Sequence, residues 1–97
     1  MALDLNVWGR AFAIALRRLR EARGMTQRAV AEPMGKDRNY VSELETGKRI
    51  PRIDTMAKVA DALEVSPAEF WDSVVKENDR LMRQRRRTGG LKTIGRD

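Results

Sequence analysis

The stretch "TQRAVAEPMGKDRNYVSELETG", Thr26 to Gly47, sets the architecture. Thr26 is a residue type that caps a helix N-terminus, and Val30, Ala31 and Met34 follow it at helical spacing. Gly35 closes that segment. Asp37 starts a second one, in which Val41 and Leu44 form the apolar stripe and Gly47 marks the stop. No residue alternation of the kind a strand needs appears here. Two short helices therefore meet across very few residues, with Ala31 small enough to let them approach closely. Pro33 lacks an N–H and disfavours helix at Glu32, which predicts that the first of the two kinks or finishes early.

The flanks read as further helices, with no repeat. Phe12, Leu16 and Leu19 fall on one face of a segment ending near Arg23, with Gly24 as its stop. Ile50-Pro51 turns the chain, and a helix over about 54–63 buries Met56, Val59, Ala60 and Leu63. "SPAE" then supplies Ser66 as N-cap, Pro67 in the first helical position and Glu69 to complete a capping box, opening a helix that holds Phe70 and Val74. Trp71, Val74, Asn78 and Leu81 follow a 3-4-3 spacing. That pattern fits either a short self-pairing seam or a fraying helix with a solvated basic end. Thr88-Gly89-Gly90 predicts the end of any helix, with disorder from Leu91 to Asp97. Trp8, Ile14 and Ala15 add apolar surface outside the expected core stripe, suited to an N-terminal extension or a partner. The expectation is an all-α, compact bundle of about five helices, with residues 1–77 as the folded domain and 78–97 as a basic extension, partly helical.

Composition narrows the function. A chain of 97 residues holds one small core, and its aromatic content of 5% makes that core aliphatic. With no Cys and no His, the usual zinc ligands, thiol nucleophiles and near-neutral acid–base groups are missing, so neither an enzyme nor a metal or cofactor site is expected. No apolar run approaches the roughly 20 residues of a membrane span, and no signal pattern opens the chain. A cytoplasmic protein without a membrane partner is expected. The net charge is +6, yet residues 78–97 carry 7 Lys/Arg against 2 Asp/Glu. Most of the excess thus lies in the tail, and the overall charge alone is a weak pointer to nucleic acid.

The placement of side chains on the helix at about 37–46 is more informative. At ~100° per residue, with Val41 and Leu44 inward, Asn39, Ser42, Glu43 and Thr46 face outward, flanked by Arg38 and Tyr40. Arg can bond guanine O6 and N7 together, and Asn the N6 and N7 of adenine. Two short helices joined in this way form a helix-turn-helix, whose second helix carries base-reading side chains at its N-terminal end.

The wider stretch "MTQRAVAEPMGKDRNYVSELETGKRIPRIDTMAKVADALEVSPAEF", Met25 to Phe70, resembles the phage repressor and Cro-like (XRE) helix-turn-helix family. Thr26-Gln27, Ala31, Gly35, Tyr40-Val41-Ser42, Leu44-Glu45, Gly47-Lys48, Pro51 and "VADALEVSPAEF" carry the likeness, which extends upstream through "LRRLREARG". The wording "DRNYVSELETGKR" is also similar to the small controller proteins of restriction–modification systems. The resemblance implies a lambda-repressor-like domain that binds double-stranded operator DNA as a homodimer on a two-fold site, its recognition helix in the major groove. Arg38, Asn39, Ser42 and Glu43 fall where the family reads bases. Glu43 either accepts from cytosine N4 or repels phosphate at a wrong site. Gln27, Arg28, Lys36, Tyr40, Lys48 and Arg49 fall to the phosphate backbone. Arg20 and Glu45 match the family's buried ion pair. Ala29 departs from the pattern, replacing the acid that would complete a capping box with Thr26. The basic C-terminal segment and the apolar N-terminus leave room for a protein partner, such as RNA polymerase, or a toxin neutralised by an autoregulating antitoxin.

Overall fold

Among the described residues, five α-helices and one turn of 3-10 helix follow one another: α1 (Leu5–Ala22), α2 (Gln27–Ala31), the 3-10 turn (Glu32–Met34), α3 (Arg38–Leu44), α4 (Ile53–Ala62) and α5 (Pro67–Arg96). The structure, a computed structural model, describes residues 3–96, with side chains described as far as Arg87. No strand occurs among the described residues, and the expected all-α bundle is what forms.

The helix starts follow from their capping residues. Asp4 accepts from the N–H groups of Asn6 at 3.0 Å and Val7 at 3.3 Å. The Thr26 hydroxyl accepts from Ala29 at 3.0 Å, and the Asp37 carboxylate from Tyr40 at 3.0 Å. Each satisfies a donor that the first turn leaves without an intrahelical partner. Ser66 accepts from the Glu69 N–H at 3.0 Å, while its hydroxyl lies 3.4 Å from the Glu69 carboxylate. That is one half of the expected capping box; the acid reaches the hydroxyl in place of the backbone.

Pro33 acts as its chemistry requires. The α-helical bonding of α2 finishes at Ala31, and the chain tightens into the 3-10 turn carrying the proline. Gly35 then adopts φ +69°, a left-handed conformation that costs glycine almost nothing. The N–H groups of Gly35 and Lys36 bond back to Glu32 and Ala31 at 3.0 and 3.1 Å, closing the turn.

Val30, Ala31, Val41 and Leu44 meet Phe12, Leu16, Val59, Ala60 and Leu63 in a single core. Phe12 and Phe70 join edge to face at 5.7 Å, which brings the start of α5 against α1. α5 is longer than the sequence suggested. It runs through Thr88-Gly89-Gly90, where a stop was expected, and its backbone is helical as far as Arg96. Each interior glycine costs about 1 kcal/mol relative to Ala, but extending a helix already about twenty residues long incurs no new nucleation cost. The last residue of the stretch expected to be disordered, Asp97, lies outside the described residues.

The self-pairing seam is also revised. Val74, Asn78 and Leu81 are buried at 1%, 8% and 5% exposure within the chain, leaving Trp71 as the exposed member. Trp71 stacks on Trp8 with centroids 5.3 Å apart and planes 4° apart. Polar pins hold α5 down as well: Glu77 takes Arg18 at 2.5 Å and Arg80 at 2.8 Å, and Arg85 pairs with Asp4.

Candidate nucleic-acid interface

The outward face of α3 is available. Arg38 and Asn39 are exposed, and neither has a hydrogen-bond or ion-pair partner among the described residues. Ser42 is half-buried behind them. Arg38 shares one cleft with Thr26, Gln27 and Arg28, and a second with Arg28, Lys36 and Asn39. The turn thus brings donor groups from α2 and from the N-terminal end of α3 into one continuous surface. Two acids line the second cleft with them, Asp37, which caps α3, and Glu32 in the 3-10 turn.

One buried carboxylate locks that surface to the core. Glu45 receives Arg20 Nε at 2.7 Å, Arg20 Nη2 at 3.1 Å and Gln27 Nε2 at 3.1 Å. Arg20 also donates to the Met25 carbonyl at 2.9 Å. The side chains of Arg20 and Glu45 are 12% and 7% exposed. Hydrogen bonding to Glu45 raises the Arg20 guanidinium above its ordinary range, with burial opposing and the charges of Glu45 and Glu21 assisting. A single contact set therefore ties α1, the start of α2 and the end of α3 together. The implied Arg20–Glu45 pair is present, and Gln27, expected on phosphate, has its amide anchored to the same carboxylate.

Two residues given separate roles are found together. Arg49 Nη2 lies 2.6 Å and its Nε 3.0 Å from the Glu43 carboxylate. Both side chains are 56% exposed, so the pair is cheap to open. Lys36 sits over the Tyr40 ring at 5.1 Å, a cation–π contact that restrains both. Lys48 is exposed, its N–H bonded to Thr46 Oγ1 at 3.3 Å, and Thr46 Oγ1 donates to the Glu43 carbonyl at 2.7 Å. That hydroxyl orders the turn behind α3.

Gly9 was not singled out from the sequence, yet it seats this turn. A Cβ built on it would lie 2.9 Å from the Arg49 carbonyl oxygen and 3.3 Å from that of Gly47. Only a glycine lets α1 lie this close to the segment carrying Lys48 and Arg49. A lone Gly inside an amphipathic helix pattern was the available signal.

A short helix, a left-handed glycine turn and a second helix with a free polar face define a helix-turn-helix protein. Residues 16–70 match the HTH_3 helix-turn-helix family model, more than half the chain. The chain belongs to that family, the XRE-type DNA-binding transcriptional regulators. It is 42% identical over 53 residues to the HTH-type transcriptional regulator y4dJ of Sinorhizobium fredii, covering 55% of this chain and 69% of that one. It is 30% identical over 68 residues to YazB of Bacillus subtilis, covering 70% and 93%. Among solved structures, it resembles the clp gene regulator ClgR of Corynebacterium glutamicum (TM-score 0.76, 28% identity, 88% of this chain and 90% of that one). It also resembles the restriction–modification controller protein C.Esp1396I, seen as a tetramer in complex with its natural 35 base-pair operator (TM-score 0.68, 28% identity, 73% and 93%).

Proposed function

We propose that this protein is a sequence-specific regulator that binds double-stranded operator DNA as a homodimer, with α3 in the major groove of each half-site. The observation that carries the reading is the pair Arg38 and Asn39. They are exposed and unpartnered at the N-terminal end of a helix whose other faces are committed to the core and to Arg20. Major-groove recognition requires rigid presentation of side chains that have not spent their donors on one another. Arg38 and Asn39 read bases, with Ser42 adding a hydroxyl one turn on. Arg28, Lys36, Tyr40 and Lys48 approach the phosphates, positioning the helix without reading sequence, and Gln27 joins them only through the amide N–H that Glu45 does not take. Arg49 joins them when it leaves Glu43, and Glu43 is then free to accept from cytosine N4. Function is binding, exercised in the cytoplasm, and control comes through occupancy of the operator.

Selection of bound duplexes from a random pool tests this. A two-fold sequence should emerge, its half-sites about one helical turn, or a multiple of it, apart. Recovery of a single unpaired half-site, bound by one copy, would overturn the homodimer reading. A pool without enrichment would overturn sequence recognition altogether.

A further inference from the structure

Among the described residues, five large apolar side chains stand out of the surface: Leu3 at 71%, Leu5 at 49%, Ile50 at 54%, Ile53 at 80% and Trp71 at 46% exposure. Single exposed apolar residues are ordinary, but these are gathered. Leu3, Leu5, Ile50 and Trp71 line one cleft of about 350 Å³ floored by Trp8, and every residue lining it is apolar. Ile53 lies in sequence between Pro51 and Met56, two further residues of that wall. The face therefore carries both a groove and a ridge.

The geometry points to a second copy of this chain as the occupant, docked through a two-fold contact in which each copy's Ile50–Ile53 ridge meets the other's groove. This rests on the homodimer reading above and names its surface. Three observations favour self-pairing. Two ion pairs adjoin residues of the face in sequence, Arg52 with Asp54 at 3.3 Å and Lys76 with Asp72 at 3.0 Å, so part of the charge beside it is already matched. A stable dimer buries about 800 Å² per partner around an apolar core, and side chains with these exposures supply roughly 600 Å² of it. Among the described residues of α5, Val74 and Leu81 are already spent on the chain's own core, which leaves Trp71 as that helix's large exposed apolar side chain.

The groove depends on the flanks of the family domain. Leu3, Leu5, Trp8 and Trp71 all lie outside residues 16–70, so the Trp8–Trp71 stack stands beyond the segment that the family model matches. Ile50 directly follows Lys48 and Arg49. Pairing through this face sets the C-terminal ends of the two recognition helices beside the two-fold axis, the relation a two-fold operator demands.

Ile53→Glu is the test. Position 53 opens α4 and is the most exposed of the five, and an acid in a first turn favours the helix, so the variant keeps its fold. Sedimentation equilibrium of the full chain is read beside binding to the operator and to a single half-site. Wild type should sediment at twice the 11.1 kDa chain mass. The variant should dissociate at least ~30-fold more readily, lose tight binding to the full operator, and match wild type on the half-site. A variant as dimeric as wild type overturns this surface and leaves the homodimer reading standing. A wild type monomeric both free and on its operator overturns both. Loss of the dimer in the variant, with no DNA site selected by wild type, upholds the surface while the operator reading fails.

Discussion

Glu45→Gln separates the scaffold from the reading surface most cleanly. The change preserves volume and removes one charge from a carboxylate that accepts three side-chain donors at 2.7, 3.1 and 3.1 Å. With Arg20 only 12% and Glu45 7% exposed, the pair is largely out of water. Losing one partner of a buried pair costs about 3–5 kcal/mol, because the remaining charge stays buried. Arg20 keeps its bond to the Met25 carbonyl at 2.9 Å, and the new amide oxygen still accepts a donor, which lowers the cost to about 2–3 kcal/mol. At about 4–8 °C per kcal/mol for a domain of this size, melting should fall by roughly 10–20 °C. Replacing both Arg20 and Glu45 by Met should recover most of that loss, since apolar residues of similar volume leave no stranded charge. Urea unfolding followed by far-UV circular dichroism gives both quantities, with an unchanged m-value confirming that only stability moved. A loss below about 0.5 kcal/mol in Glu45→Gln would mean that the pair is not buried at a cost, as would single losses that simply add in the double variant.

Glu43→Gln should release Arg49 for phosphate, raising affinity for random duplex a few-fold and steepening its salt dependence by about one counterion; an unchanged slope would show that the pair does not restrain Arg49. Lys48→Ala should weaken binding to operator and random DNA alike and flatten the salt slope by about 0.9, so a loss confined to the operator would reassign Lys48 to base reading. Gly9→Ala should destabilise by about 1–2 kcal/mol, because displacing the Arg49 carbonyl outweighs the helix propensity gained. Melting at or above the wild-type temperature would mean that the turn yields freely.

Local chemistry was readable from the sequence, and distant pairings were not. Thr26, Asp37 and Ser66 cap because a short polar side chain at a helix start has a nearby donor to satisfy. Pro33 ended α2 because a missing N–H acts within one turn. Val41 and Leu44 fell inward because helical period alone fixes their face. By contrast, Trp8 meets Trp71 and Arg18 meets Glu77 only once α1 and α5 have packed, and no local pattern encodes that crossing. Asn78 fell within the spacing of a self-pairing seam, yet it is buried in its own chain, its Oδ1 without a hydrogen-bond partner. The turn after α4 left no glycine signal, since Glu64 takes the left-handed conformation itself, at φ +61°. On the interface, residue types and faces were legible, while the Glu43–Arg49 pair was not, because both are long side chains that meet across a turn.

Arg38→Ala, measured on the selected operator and on random duplex of equal length, tests base reading by α3 directly. A loss of about 1–3 kcal/mol per half-site, some 5–150-fold, is expected on the operator, with binding to random DNA nearly intact. Equal losses on the two DNAs would make Arg38 a phosphate contact and remove sequence reading from the face on which the account places it.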